Sequence, residues 1–202
     1  MTANAAAGSL LSAIAALYSG DALTARAGRV MSAADPAALM RQPAKTIAAF
    51  RHVARAASVE PSAPLAAIVT AFATLVERLA WQQNPNYVAA PPSPDFLDNY
   101  GYVEFAGPGR AIDVSDVRVG VLLLGPRTVY PAHSHPAEEV YHVIGGRALW
   151  WRQGQDWRLE TPGAVIHHPP HMRHATACED EPLLALYCWM GDIRAAARLV
   201  NE

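Results

Sequence analysis

The first ~80 residues place apolar side chains at three- and four-residue steps, whereas the last ~100 carry short apolar runs broken by Gly and Pro. Segments 8–18, 36–57 and 63–82 read as helices. In the third, Leu65, Ile68, Val69, Phe72, Leu75, Val76 and Leu79 recur at helical spacing and form one apolar stripe. Ser62 is placed to cap it, and Glu60-Pro61 separates it from the preceding helix, because proline cannot continue a helix interior. The stretch 84–101 is rich in Pro, Asn and Asp and reads as an irregular connection. A connection of that length packs over something; it is read as a pocket lid, a homodimer contact, or both.

From Tyr102 onward the pattern becomes that of strands. The candidates are Val117–Leu124, Glu139–Ile144, Ala148–Arg152, Trp157–Glu160, Val165–His168, Arg173–Cys178 and Leu183–Met190. Gly145-Gly146 is a hairpin signal and Gly154-Gln155 a second turn. A helix over Asp192–Val200 closes the chain. The expected class is mainly β with α. Residues 1–100 form a helical subdomain with its irregular connection, and residues 101–202 form a sandwich or barrel with a C-terminal helix.

Composition narrows the function classes. With 202 residues, 51% of them hydrophobic, the chain is long enough for a sizeable core and is not disordered. A net charge of −2 with only 16 Lys and Arg argues against a nucleic-acid partner. No apolar run reaches the roughly 20 residues that cross a bilayer, so no membrane partner is expected. Cys178 and Cys188 are too few for a disulfide scaffold, which points to a reducing cytoplasm; they read as buried small hydrophobes. No Lys or Arg precedes the apolar stretch at the N-terminus, so it reads as a helix rather than a secretory signal.

Histidine is the informative residue. Of the 8 in the chain, all but His52 lie between His133 and His174. The first cluster reads His133-x-His135-x-x-x-Glu139 and leads to Gly146; the second lies within Pro162–His174. Imidazole and carboxylate without thiolate suit one divalent ion such as Zn²⁺, Fe²⁺, Mn²⁺ or Ni²⁺. Glu139 and Tyr141 are two apart on a predicted strand and share a face, as do Tyr187 and Trp189. His142, His167, His168 and His171 read as non-ligands, one of them available to hydrogen-bond a ligand.

These residues resemble the cupin superfamily, whose first motif is G-x5-H-x-H-x3,4-E-x6-G and whose second is G-x5-P-x-G-x2-H-x3-N. His133, His135, Glu139 and Gly146 match the first, and Gly163, Pro169 and His174 the second. Three positions depart: seven residues separate Gly125 from His133, His171 replaces a glycine, and Cys178 replaces the asparagine. The resemblance implies a cupin fold, a small β-barrel or jelly roll with a metal inside, over about residues 100–190.

The longer pattern Tyr130-x-x-His133-x-His135-x-x-x-Glu139-x-Tyr141 is similar to the cupin lyases of Q type, which cleave dimethylsulfoniopropionate (DMSP) into dimethyl sulfide and acrylate. The resemblance implies a carbon–sulfur lyase in which His135, Glu139 and His174 ligate the metal. Tyr141 would be a further ligand and the base that abstracts the α proton, with Tyr130 the competing base. Tyr130, His133 and Trp189 would line the substrate pocket, with His133 an alternative ligand and Trp189 facing the sulfonium cation. Two other readings stay open: an Fe²⁺ dioxygenase on the same scaffold, and a cupin that binds a small ligand without turning it over.

Overall fold

The structure is a computed structural model that describes residues 2–58 and 63–200. Helix α1, Ala3–Ser19, begins where the Thr2 hydroxyl accepts the Ala5 N–H, earlier than the periodicity implies. Helix α2, Ala25–Ala33, escaped the sequence reading because Val30 and Met31 are its only large apolar residues, too few to draw a stripe. The single helix expected over 36–57 is broken. Helix α3, Ala37–Arg41, stops at Gln42, which turns extended ahead of Pro43; a 3-10 turn Ala48–His52 and helix α4, Val53–Ala56, follow. Proline clashes with a helical predecessor, and the backbone takes the extended alternative.

Helix α5 spans Ala63–Leu75, and its Leu65, Ile68, Val69, Phe72 and Leu75 are buried. The expected cap Ser62 and the break at Glu60-Pro61 lie outside the described residues. The helix ends sooner than expected because Trp81–Gln82, strand β1, joins a sheet instead. The 84–101 segment is more ordered than its composition suggests. Asn84 caps helix α6, Pro85–Ala89, and helix α7 covers Phe96–Asn99.

Two sheets follow. The larger is built from β1, β2 (Tyr100–Gly107), β3 (Ile112–Asp113), β4 (Val117–Leu124), β6 (Ala137–Gly146), β9 (Val165–His168) and β11 (Leu183–Gly191), its main path running β1-β2-β4-β11-β6-β9. The smaller runs β12-β5-β10-β7-β8, from Arg198–Leu199, Val129–Ser134, His174–Ala177, Ala148–Arg152 and Arg158–Glu160. They form two facing sheets rather than one closed barrel.

Alternation along each strand separates two cores. On β11, Leu184, Leu186 and Cys188 face the helices and join Leu10, Ile14, Phe72 and Trp81. Leu183, Ala185 and Tyr187 face the second sheet, with Leu122, Tyr130, Tyr141 and Trp150. The candidate site residues Tyr130, Tyr141 and Trp189 sit on this inner face.

Two sequence expectations are corrected. Gly145-Gly146 is not a hairpin, because β6 pairs with β11 and β9 while β7 lies in the other sheet. The glycines mark a corner between sheets: Gly146 has φ 66° and lies against the Pro182 carbonyl, where a side chain has no room. The C-terminal helix over Asp192–Val200 does not form. Arg198 and Leu199 pair with the edge of β5 as β12, and the Ala197 carbonyl accepts from the amides of Asn84 and Asn86. Covering an open strand edge outweighs the helix preference of the alanines.

Candidate metal and active site

Strand pairing assembles the histidines. His133 on β5 faces His174 on β10, and Glu139 on β6 lies between His168 on β9 and Trp189 on β11. His135 sits in the short link from β5 to β6. His135, Glu139 and His174 each offer a ligand atom, and these atoms all lie within 4.8 Å of one another. Oε2 of Glu139 is 3.1 Å from His135 Nε2, 3.2 Å from His168 Nδ1 and 3.5 Å from His174 Nε2. All four residues are buried, with Glu139 only 1% exposed.

The donor set fits a divalent ion on this structure's own geometry. Nδ1 of His133, His135 and His174 lies 2.8–2.9 Å from the carbonyls of Pro131, Ala137 and Met172. A ring that donates through Nδ1 keeps a lone pair on Nε2, the form that ligates metal. Nε2 of His174 is buried without a hydrogen-bond partner among the described residues, which is costly unless another group satisfies it. Burial holds His133 down to about 3 and His174 well below the usual imidazole range, so both stay neutral. Burial alone would raise Glu139; the imidazoles around it, His135 first, outweigh that and keep it ionised.

Of the four histidines read as non-ligands, His142 packs against Tyr18 on the helical side and His167 bonds Glu138. His168 points inward, stacks on His174 at 3.8 Å and touches Glu139, the contact to a ligand that the sequence left unassigned among the four. His171 occupies the glycine position of the second motif and takes the left-handed conformation that glycine would, at φ 64°. That conformation costs a non-glycine residue about 1 kcal/mol. His171→Gly is therefore expected to raise Tm by a few degrees, measurable by calorimetry; an unchanged or lower Tm would refute a net cost of the left-handed conformation.

Tyr130, Tyr141 and Trp189 line one cavity of about 220 Å³ together with Glu139. Tyr141 is buried, and burial, then the charge of Glu139, push its phenol well above the usual range. Tyr130 is also raised by burial and by Tyr100 and Tyr87; it stacks flat on His133 at 3.9 Å and shares a 3.1 Å hydrogen bond with Tyr87. Tyr87 and Phe96 show what the 84–101 segment covers: they bury themselves beside Tyr130 and Tyr100. Trp189 stacks on His135 at 4.1 Å and donates its indole N–H to Glu139 Oε1 at 2.5 Å, so it braces the carboxylate as well as walling the cavity.

Sequence reasoning missed part of this cavity. Glu104, Arg110, Arg118 and Tyr102 also line it, and no motif or spacing marks them; they converge only through strand pairing.

Residues 22–185 match the family model for dimethylsulfoniopropionate lyases. The chain belongs to the dimethylsulfoniopropionate lyase family. A curated relative, dimethylsulfoniopropionate lyase DddQ of Ruegeria pomeroyi, is 33% identical over 102 residues, which are 50% of this chain and 51% of that protein. The aligned stretch thus spans about half the length of the curated relative. The crystal structure of DMSP lyase DddQ from the same organism superposes with a TM-score of 0.77 at 27% identity, covering 97% of this chain and 96% of that one. A structure described with the DMSP lyases RdDddP and RnDddQII gives a TM-score of 0.80 at 26% identity, over 99% of this chain and 100% of the other. These family members share the whole architecture, helices included: a cupin fold behind an N-terminal helical layer.

Proposed function

We propose that the protein is a metal-dependent carbon–sulfur lyase that cleaves DMSP into dimethyl sulfide and acrylate. The observation that carries this reading is a buried phenol, Tyr141, lining one cavity with Glu139, one of three residues whose donors could hold a metal ion, in a chain of the DMSP lyase family. His135, Glu139 and His174 would hold a divalent ion, with Tyr141 a further ligand and His133 in reserve. Their nitrogen and oxygen donors suit Zn²⁺, Fe²⁺, Mn²⁺ or Ni²⁺. When bound, the ion supplies Lewis acidity, which lowers the pKa of a nearby phenol and withdraws charge from the reacting carboxylate fragment.

The chain's own residues do the rest. Tyr141 Oη takes the proton α to the carboxylate. The C–H electron pair becomes the second bond between the α and β carbons, and the C–S bond breaks to release neutral dimethyl sulfide. Tyr130 is the competing base, but its stacking on His133 and bond to Tyr87 suit a wall that orients substrate. The aromatic faces around the cavity attract the sulfonium, and burial of the site excludes water that would level the electrostatics.

Headspace detection of dimethyl sulfide over the metal-loaded protein and DMSP tests the reading directly. No release with any of the four metals would reject it in favour of a dioxygenase or a ligand-binding cupin. Trp189→Leu removes an aromatic face worth about 2 kcal/mol to a desolvated cation, so KM for DMSP is expected to rise ~30-fold when measured at saturating metal, which offsets the lost brace on Glu139. An unaltered KM would show that the sulfonium lies elsewhere.

A further inference from the structure

Across the larger sheet from Tyr141 runs one row of register partners: Tyr141, Tyr187, Gly120 and Glu104. Gly120 leaves room for the Tyr187 ring, since a Cβ there would stand 2.5 Å from the Tyr187 hydroxyl. The ring lies across the glycine, and its hydroxyl donates to Glu104 Oε2 at 3.1 Å. Glu104 Oε1 accepts from Arg110 Nε at 2.6 Å and from Arg118 Nη1 at 2.7 Å. Arg118 is fixed again by its Nε bond to the Ile193 carbonyl at 2.8 Å. The Glu104 side chain is 4% exposed, that of Arg118 19% and that of Arg110 30%.

A carboxylate held by two guanidiniums and a phenol is a clamp, not a receptor for a cation. Among the residues lining the cavity, Glu104 and Glu139 stand against Arg110, Arg118 and Arg194, which leaves the wall net positive. Each guanidinium carries five N–H donors. Among the described residues Arg110 uses one of them and Arg118 two, so the pair can still donate. Arg118 pairs with Trp189 and Trp189 with Glu139, which puts the Arg118 backbone two strands, roughly 10 Å, from the backbone of Glu139. The pair therefore stands apart from the three metal donors while lining the same cavity.

We propose that Arg110 and Arg118 form a carboxylate-binding subsite of this cavity, in which Glu104 takes up part of the donor capacity of both guanidiniums and an incoming carboxylate competes with it for the rest. On the lyase reading, which supplies the identity of the occupant, it takes the carboxylate of DMSP on entry, before that group reaches the ion, and the carboxylate of acrylate on its way out. Bidentate guanidinium contacts select a planar carboxylate and give the zwitterion one orientation.

The test is calorimetric titration with propionate, a carboxylate with no sulfonium and no leaving group, so nothing turns over. Arg110→Gln is expected to weaken propionate binding about tenfold. Glu104→Gln releases both guanidiniums from their carboxylate and is expected to tighten it; a merely structural cluster would move both variants the same way. Arg110→Lys, which keeps the charge, should bind between wild type and Arg110→Gln, and thermal melts confirm that each variant is folded. Unchanged binding in Arg110→Gln, or weaker binding in Glu104→Gln, overturns the proposal. So does loss of propionate binding on chelating the metal from wild type while Arg110→Gln binds normally, for then the metal is the carboxylate's only anchor. Dimethyl sulfide release by wild type is scored separately, so a failed lyase reading with an intact propionate pattern leaves the subsite standing.

Discussion

Glu139→Ala is expected to lose both the metal and the reaction. Glu139 is the one anionic donor of the triad, and its Oε2 is the atom on which His135, His168 and His174 converge. Without it, three buried imidazoles surround a site with no compensating charge, and a dication there loses its strongest partner. Lewis-acid assistance amounts to several kcal/mol, so dimethyl sulfide release should fall by about 10³-fold or more. Metal analysis gives a readout independent of turnover, as does melting. Wild type at an ion concentration a hundred times Kd should gain about 2.7 kcal/mol, or roughly 5–10 °C in Tm, and Glu139→Ala should gain little. Glu139→Gln keeps the shape and the acceptor for Trp189; retention of full metal affinity by that variant would refute a carboxylate ligand.

The second large effect is expected at Tyr141. A phenol pushed far above its usual range by burial and by Glu139 cannot act as a base near neutral pH by itself. On the proposed reading its usefulness would depend on an ion held beside it. Tyr141→Phe removes only the hydroxyl, so kcat should drop by about 10²–10⁴-fold, the usual weight of a positioned general base, while His135, Glu139 and His174 still bind metal. Tyr130→Phe loses one hydrogen bond, to Tyr87, worth about 1 kcal/mol, and should chiefly raise KM. If the kinetic penalties are exchanged between the two variants, Tyr130 is the base and Tyr141 the wall.

Local pattern carried much of this protein. Strands β4, β6, β7, β8, β9, β10 and β11 stand close to where alternation and Gly/Pro punctuation place them, because a half-buried strand shows its period within a few residues; β5, interrupted by Pro131, and β12 do not. The spacing His133-x-His135-x-x-x-Glu139 announces a ligand cluster because those residues occupy one strand, a short link and the next strand. Tyr141 follows by parity, two along the strand from Glu139, whereas Trp189 is implied by the family resemblance and faces inward because register sets it opposite Glu139.

Tertiary structure decided what depends on partners distant in sequence. Whether Gly145-Gly146 closes a hairpin or turns a corner rests on which strands β6 and β7 find, and nothing local encodes that choice. Arg198 and Leu199 abandon a plausible helix because β5 offers an unpaired edge. His168 and His167 are neighbours of the same type, yet register puts one against Glu139 and the other against Glu138 on the outside. The Glu104, Arg110 and Arg118 cluster is the clearest case. Three charged residues between positions 104 and 118 look like solvated surface; the turn after β2 brings Arg110 back to Glu104, and the pairing of β2 with β4 brings Arg118 to it, on the wall of the cavity. Periodicity reports the backbone's short-range preferences, whereas a charged cluster is stabilised by contacts that exist only once the sheet has closed.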